Sequence, residues 1–524
     1  MKLQLNRNHI HSDLFEELGF EDYLKKFEIH LPFINHLILS PLPKAEGKLH
    51  FEQLKLILNL SLNNKIQIDE LIALCSRILP LENVFSSLLN RQLEQYQLYL
   101  IYTFIEQEFK ITKIEKELPL EINLSKLKEI QETLNHFCEE GAKIIRFSKE
   151  ELDLKNKIFS SDKLLEKKLQ EHESKILEET GLSFLYPYPR EIIDIPPLLL
   201  EKIKNSKLLS LKKKSEFYEV NHIVSQEIEE LEKSIRHLRD ELENEIKNRL
   251  EKLGEILFPY AEELILAYEK RKKRAYLYAL IKTLHQFNLC LPTFSENEFE
   301  IKKGHLPCLQ QNNLENYVPL DLKMKGHGAH VLFGANMAGK TSVLKTQYFL
   351  LTLLRFGLPI PAEEIRLGFP NDVQIHLKNS GKIKQKLSGF ADELTFFSQG
   401  FESGAYLLVD ELFHSTNPLA GLQLSKIFLH YYSTKNVLLF CTSFYPEVLY
   451  LDEIHFYKMV DATLDLEVEK PINEILSQTP FRVEKVEKHN VGKSFWECQQ
   501  PLKLALHFPL NDELKKNILA AIKE

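Results

Sequence analysis

The chain has 524 residues, of which 44% are hydrophobic and 27% are charged, and its formal net charge is −8. This composition is typical of a folded protein rather than a disordered one, and it predicts two to four domains at about 150 residues each. The acidic balance argues against a surface coated in positive charge for nucleic acid, although it allows a local basic stripe. No apolar run reaches the length of about 18 residues that would span a membrane.

Cysteine usage and the N-terminus indicate the compartment. The six cysteines are scattered and form no CxxC pair, which predicts reduced thiols rather than disulfides or a metal site. The first residues lack the apolar core of a signal peptide. We therefore expect a cytoplasmic protein without a membrane segment.

The N-terminal part is predicted to be helical. Residues 1–180 carry apolar residues at intervals of three and four, which predicts a helical core domain. Residues 181–220 are rich in proline and contain short β-branched runs, so they predict a small irregular or hairpin insert.

A long helix is predicted over residues 221–290. Its apolar positions from Val224 to Leu257 follow steps of three and four, the spacing of a heptad seam. Pro259 is expected to kink the helix, and the pattern resumes as far as Phe287. So long a helix must pair with another helix or join distant domains, and the pattern alone leaves open whether it is a static strut or a moving lever.

From about residue 300 the pattern changes to short apolar strands alternating with helices. This alternation predicts an α/β domain over residues 300–460 with a mostly parallel sheet. A mixed segment over 461–524 is expected to pack on that domain through Trp496, the single tryptophan. The predicted strands are AHVLFG, DVQIHL, AYLLVDE, NVLLFCTS and EIHFYKM.

The segment GANMAGKT, residues 334–341, lies between a predicted strand and a predicted helix and fits the phosphate-loop pattern. Gly334 and Gly339 let the backbone turn tightly, so that consecutive N–H groups and the helix N-terminus face the phosphates. Lys340 is predicted to reach the β- and γ-phosphates, and the Thr341 hydroxyl to bind Mg²⁺. The loop therefore predicts ATP and Mg²⁺ as ligands.

Two acids end the apolar strand AYLLVDE. Asp410 is predicted to bind the magnesium ion, and Glu411 to polarise the attacking water as a general base. A strand that ends in two acids is common, but about 70 residues after a phosphate loop it is much stronger evidence for a hydrolytic site.

Several further stretches, in order along residues 304–450, resemble the MutS family of ABC-class ATPases. GANMAGKTSVLK resembles the family's GPNMxGKSTxLR, and GLPIPAEEIRLG resembles its continuation. LSGFADEL resembles the signature STFxxEM, retaining Ser388, Phe390 and Glu393. LLVDELFHSTNPLAG resembles the stretch that begins with the metal-binding acid.

The resemblance implies a helical core and lever region followed by an α/β phosphate-loop ATPase domain of the ABC/MutS type. It implies a homodimer, or a pair with a related subunit, in which Ser388 acts in trans on the nucleotide. Binding of ATP would join the two halves, and hydrolysis would release them. The residues expected at the nucleotide are Gly334, Asn336, Met337, Ala338, Gly339, Lys340, Thr341, Ser342 and Ser388.

The chain departs from the family pattern at several positions. The family's histidine after the last core strand is Ser443, which has no imidazole but retains a hydroxyl for the attacking water. We therefore expect slow hydrolysis, with Ser443 beside Glu411 and Lys340 in the catalytic set. The glycines that usually follow the two acids are Phe413 and Ser415.

Two clients fit the sequence. The chain resembles a short MutS-like branch without the mismatch-binding domain, which predicts a mismatch-repair-like ATPase that clamps duplex or branched DNA. Its candidate phosphate contacts are Lys212–Lys214 and the basic run Lys270–Arg274. The alternative is a chaperone-like ATPase similar to those that reactivate the B12-dependent lysine 5,6-aminomutase. A third interpretation, a nucleotide-binding relic without turnover, follows from Ser443.

Overall fold

A computed structural model defines the fold of most of the chain. The described residues are 2–30, 36–63, 65–76, 80–114, 124–139, 141–308, 318–334, 339–377, 389–459, 483–486 and 512–523. Among them, none of the helices combines the length and the apolar character needed to cross a membrane.

The described helices include both short connecting helices and two of 32 residues. In chain order the helices are α1 (Ser12–Glu17), α2 (Phe20–Glu28), α3 (Lys44–Asn63), α4 (Lys65–Ser76), α5 (Glu82–Leu89), α6 (Gln95–Ile114), α7 (Leu124–Phe137), α8 (Lys149–Thr180), α9 (Pro197–Asn205), α10 (Gln226–Leu257), α11 (Ala261–Phe287), α12 (Lys340–Arg355), α13 (Gly389–Ser398), α14 (Pro418–Ser433) and α15 (Asp512–Lys523).

The described strands are between two and seven residues long. They are β1 (Lys2–Leu5), β2 (His36–Leu39), β3 (Cys138–Glu139), β4 (Ile144–Ile145), β5 (Arg190–Ile192), β6 (Leu209–Lys213), β7 (Tyr218–His222), β8 (Thr293–Phe294), β9 (Glu298–Gly304), β10 (Leu320–Lys325), β11 (Gly328–Phe333), β12 (Glu364–Leu367), β13 (Asp372–His376), β14 (Ala405–Val409), β15 (Leu438–Thr442), β16 (His455–Met459) and β17 (Val483–Val486).

The chain packs as two compact units, each built from more than one segment. The first unit comprises Met1–Ile78, Ile114–Pro119 and Arg271–Glu524, and the second comprises Leu79–Lys113 and Leu120–Lys270. The division of the sequence into five consecutive segments stays a prediction.

The largest sheet of the first unit has six strands in the order β13–β14–β15–β11–β16–β17. The pairings from β13 to β16 are parallel, and β17 adds an antiparallel edge. All five segments predicted as strands in this region form strands, so that prediction is confirmed. Every residue of β11, β14 and β15 is buried, which explains why these strands are continuous apolar runs. A second sheet has the order β10–β9–β12–β8.

The second unit contains two long helices, α8 and α10, that pack against each other. Ser148 and Glu151 form a capping box at the start of α8, and Gly181 ends that helix in the left-handed conformation with φ 76°. Ile228 and Ile235 of the predicted seam are buried. The α-helix is interrupted at the predicted proline, because a short 3₁₀ turn over Phe258–Tyr260 separates α10 from α11, and the kink itself stays a prediction.

The insert forms a small antiparallel sheet, β5–β7–β6, with α9 beside it. Strands β6 and β7 form a hairpin, one of the two alternatives, irregular or hairpin, that the sequence left open. The buried residues of this small core are Ile176, Leu182, Ile195, Ile203, Leu209 and Val220.

The helical prediction for residues 1–180 was wrong in two short places. Residues 138–145 were included in a helical pattern, but β3 and β4 form an antiparallel pair there. The turn between them places Gly141 and Ala142 at φ 69° and 64°, a left-handed conformation that no α-helix accommodates. The parallel pair β1–β2 also lies in this otherwise helical stretch.

Candidate functional site

Three loops of the candidate site follow neighbouring strands of the six-stranded sheet. Gly334 comes directly after β11, Asp410 after β14 and Ser443 after β15. Strand β15 lies between the other two and is parallel to both. Because carboxyl ends of parallel strands meet at one edge of a sheet, the sequence-distant loops converge there.

The phosphate loop leads into α12 through Gly339, which has φ 85° and therefore needs a residue without a Cβ atom. Lys340 is only 6% exposed, although its side chain is charged. Its ammonium group donates a hydrogen bond to the Gly334 carbonyl at 2.7 Å and lies 4.7 Å from the centre of the Phe444 ring. The ammonium group thus lies against the Gly334 carbonyl and the Phe444 ring rather than extending into solvent.

Some predicted nucleotide contacts have no structural description. Asn336, Met337, Ala338 and Ser388 lie outside the described residues. Ser342 lies in the first turn of α12 with an exposed side chain.

Thr341 and Asp410, the two predicted magnesium ligands, are in direct contact. The Thr341 hydroxyl donates to Asp410 Oδ2 at 2.8 Å, and the Thr442 hydroxyl donates to Asp410 Oδ1 at 2.8 Å. No group of three or more His, Cys, Asp or Glu side chains suited to a metal occurs in the described part of the chain. One carboxylate and one hydroxyl nonetheless fit Mg²⁺, which takes few protein ligands and completes its octahedron with water and phosphate oxygens.

Glu411 begins a tight turn in an unusual backbone conformation. Glu411 and Phe413 have φ 53° and 52°, and for residues with side chains this conformation costs of order 1 kcal/mol or more each. The turn is held by Thr442, whose hydroxyl accepts the Glu411 N–H at 2.6 Å and whose carbonyl accepts the Leu412 N–H at 2.9 Å. The backbone that carries the general-base candidate is therefore fixed at the end of β14.

Ser443 is nearly inaccessible, with 2% of its surface exposed. Its hydroxyl oxygen accepts the Tyr445 N–H at 3.1 Å, and the Tyr445 hydroxyl in turn donates to the Phe413 carbonyl at 2.9 Å. Through its hydrogen bond with Tyr445, Ser443 stabilises the loop that follows β15.

Thr442 and Glu393 have clear structural roles that were not predicted from the sequence. Thr442 joins Asp410 to Glu411, and the only sequence signal is a hydroxyl residue at the end of a buried strand. Glu393 is 2% exposed and accepts the Phe413 N–H at 2.6 Å. Burial raises the pKa of Glu393 to about 7. Its signal was an acid between Phe390 and Phe397 on the apolar side of a short helix.

The two basic runs proposed for phosphate contacts differ in exposure. Lys212–Lys214 are exposed on β6 and the residue after it. In the run Lys270–Arg274, by contrast, Arg271 and Arg274 are 0% and 1% exposed. The Arg271 guanidinium donates to the Leu74 carbonyl at 2.7 Å. The hypothesis that the whole run lines a DNA surface is therefore wrong, because two of its cations pack inside the protein.

No family model matches the chain. The chain is 30% identical over 227 residues to a protein named endonuclease MutS2 from Ligilactobacillus salivarius, a match that covers 42% of this chain and 28% of the relative. It is 25% identical over 254 residues to endonuclease MutS2 from Aquifex aeolicus, covering 48% of this chain and 33% of the relative. These matches support membership in the MutS family. The human DNA mismatch repair protein Msh3 is 26% identical over 193 residues, covering 35% of this chain.

The chain thus aligns with less than half of each of these MutS-family proteins, from 17% to 33% of their lengths. Two of the three are named as endonucleases and one as a DNA mismatch repair protein, whereas none is named for aminomutase reactivation. The aminomutase alternative gains no support from them.

Proposed function

We propose that the protein is a MutS-family ATPase that couples ATP binding and hydrolysis at a dimer interface to clamp movement on DNA. The observation that carries the proposal is the strand-end cluster, which we define as Lys340, Thr341, Asp410, Glu411 and Thr442. Its members come from the start of α12, the turn after β14 and the end of β15, and the Thr341 hydroxyl lies 2.8 Å from Asp410 Oδ2.

Nucleotide binding follows from the phosphate loop. Lys340 would exchange its hydrogen bond with the Gly334 carbonyl for the β- and γ-phosphate oxygens, a stronger charge-assisted contact. The N-terminus of α12 directs its free N–H groups at the same phosphates. Thr341 and Asp410 would hold Mg²⁺, which when bound neutralises charge on the phosphate oxygens.

Hydrolysis follows from the turn at Glu411. The Glu411 carboxylate takes a proton from a water whose oxygen bonds to the γ-phosphorus, while the bond from that phosphorus to the β–γ bridging oxygen breaks and ADP leaves. Thr442 fixes the backbone that carries this carboxylate. Because the buried Ser443 hydroxyl replaces an imidazole and already bonds to Tyr445, we expect slow turnover.

DNA is the client that fits best. The names of the relatives refer to nucleic acid, as DNA repair or endonuclease proteins. The second unit offers paired long helices as arms and the exposed cations Lys212–Lys214 as phosphate contacts. In this proposal Ser388 caps the nucleotide of a second copy, so that ATP joins two copies of the chain around the duplex.

A Glu411→Gln variant tests the ATPase. It is expected to keep ATP binding, to lose at least about 100-fold in kcat and to remain dimeric in ATP and Mg²⁺ by light scattering. A Glu402→Gln variant, which changes an exposed acid of the same unit, is the matched control and should behave as wild type. Wild-type protein that ignores ATP, or that stays monomeric when saturated with a non-hydrolysable analogue, would refute the proposal.

Salt titration of duplex and branched DNA binding tests the client. Affinity should fall steeply as salt rises, because phosphate contacts release counterions. If DNA binding is undetectable even at low salt while ATPase activity is intact, the proposal that DNA is the client is refuted. The proposed ATPase activity is then unaffected. Capture by the Glu411→Gln variant in ATP would then identify the client.

A further inference from the structure

Helix α13 packs directly on the turn that carries Glu411. The Phe390 and Phe397 rings lie 6.4 Å and 5.8 Å from the Phe413 ring between centres. At the start of the helix, a Cβ atom on Gly389 would lie 3.1 Å from the Ser415 hydroxyl, so the helix backbone approaches the Ser415 side chain closely. The helix and the turn are thus in contact along most of the helix length.

Within this apolar contact lies one polar link, from Glu393 to the Phe413 N–H at 2.6 Å. A buried carboxyl is unfavourable unless it has a partner, and its partner here is the N–H of Phe413, a residue held in the left-handed conformation. This hydrogen bond therefore stabilises both the buried carboxyl of Glu393 and the left-handed backbone of Phe413. Phe413 is two residues after Glu411, and Leu412 between them is fixed to Thr442.

We propose that Glu393 is a positioning residue for hydrolysis, which holds the left-handed turn and so fixes the direction of the Glu411 carboxylate. This rests on the proposed function. Glu393 itself is buried beneath the turn and is not a catalytic residue. Its removal should therefore lower the rate of the chemical step and leave nucleotide binding by Lys340 and Thr341 unchanged.

The charge of Glu393 provides a readout that a packing role alone would not change. A carboxylate accepts a stronger hydrogen bond than a protonated carboxyl, and its pKa of about 7 places that change within the range of an ATPase assay. The titratable groups that interact with it are Cys441 and Tyr445, and burial raises the pKa of both, so they remain neutral in this range. We expect kcat to fall as the pH drops below about 7.

The test uses two variants of the full chain. Glu393→Gln keeps an acceptor oxygen for the Phe413 N–H, so kcat should stay within about threefold and lose its change near pH 7. Glu393→Leu removes the acceptor and should lower kcat at least about tenfold with an unchanged Kd for ATP. Asp392→Asn is the matched control, because it neutralises the adjacent, half-exposed acid and should keep both the rate and the pH profile.

Hydrogen exchange of residues 410–415 separates this inference from the proposed function. Glu393→Leu should speed exchange of the Phe413 amide without any nucleotide present, whether or not the wild type hydrolyses ATP. A folded Glu393→Leu variant with normal kcat and normal exchange would overturn the inference. So would a Glu393→Gln variant that retains the wild-type pH profile. If Glu393→Leu does not fold, the pH profile of Glu393→Gln still decides.

Discussion

The strand-end cluster of the first unit and the small sheet of the second unit differ in how far their buried polar groups are hydrogen-bonded. In the cluster, Asp410 accepts a hydroxyl hydrogen on each carboxylate oxygen. Beside the small sheet, the ring of His172 on α8 lies 5.4 Å from the ring of His222 at the end of β7, and the Phe184 ring lies 4.2 Å from the His222 ring, all between centres. The Nε2 atom of His172 has no hydrogen-bond partner among the described residues.

This difference distinguishes polar groups that hold a functional atom in place from polar groups that only fill space in the core. Groups that must present an oxygen atom at a fixed place need directed hydrogen bonds, whereas a neutral imidazole can fill space as an aromatic ring. Substitutions in the first region should therefore change catalysis, whether or not they also change stability, and those in the second should change stability alone.

The largest effect is expected from Lys340→Ala. Removing the ammonium group deletes the charged contact to the phosphates, so the affinity for ATP should fall at least about 100-fold in a binding titration. Lys345→Ala is the control, because Lys345 lies on the same helix but pairs with Glu17. Equal losses in both variants would contradict the assigned role of the loop.

Thr442→Val is expected to have the next largest effect. The shape is kept, but Asp410 Oδ1 and the Glu411 N–H both lose their partner. We expect kcat to fall about tenfold and the free energy of unfolding to fall by about 1–3 kcal/mol. The control is Thr346→Val, whose buried hydroxyl bonds to Ser342 within its own helix. Unchanged turnover in Thr442→Val would show that the cluster does not position Glu411.

A smaller effect should follow from replacing Lys212, Lys213 and Lys214 together by alanine. If these cations contact DNA phosphates, the slope of log affinity against log salt should become shallower by about 2 to 3. Replacing the exposed Lys233, Lys247 and Lys252 of α10 removes the same charge and should leave the slope nearly unchanged. The same slope in both triple variants would place the phosphate contacts elsewhere.

The smallest effect is expected in the pH dependence of the stability of the small sheet. Burial lowers the pKa of His172 and of His222, so the unfolded chain takes up these protons first as the pH falls below about 6.5. Stability of this region should therefore be constant above that pH and decline below it. Hydrogen exchange of residues 172–222 at pH 5.5 and 7.5, corrected for intrinsic rates, should show the decline, and a variant with both histidines replaced by phenylalanine should not.

The parts of the fold that could be predicted depend on short-range patterns. The five strands around the phosphate loop were predictable because each is a buried apolar run, and the break at Pro259 because proline lacks an N–H donor. The pair β3–β4 was missed because apolar spacing continues through Gly141. The exposure of Arg271 was also misjudged, since charge alone does not show which face of a helix is buried.

The residues of the site could be predicted from the sequence, but the hydrogen bonds that join them could not. Lys340, Thr341, Asp410 and Glu411 were singled out from two motifs, and their assignment to ATP and magnesium stays a prediction. The bonds from Thr442 to Asp410 and from Glu393 to Phe413 join residues 32 and 20 positions apart. No local pattern encodes such pairings, because they depend on which strands and helices become neighbours.

The left-handed backbone at Phe413 explains how this chain can do without a glycine where the family resemblance expects one. The conformation that glycine adopts freely is retained, and the aromatic side chain, 0% exposed, is sandwiched among Phe397, Phe428 and Phe390. Burying such a ring stabilises by about 2 kcal/mol, enough to offset the conformational cost. A glycine at this position would keep the backbone conformation but lose the ring that fills the space around it, so Phe413→Gly should loosen the turn rather than relieve strain in it.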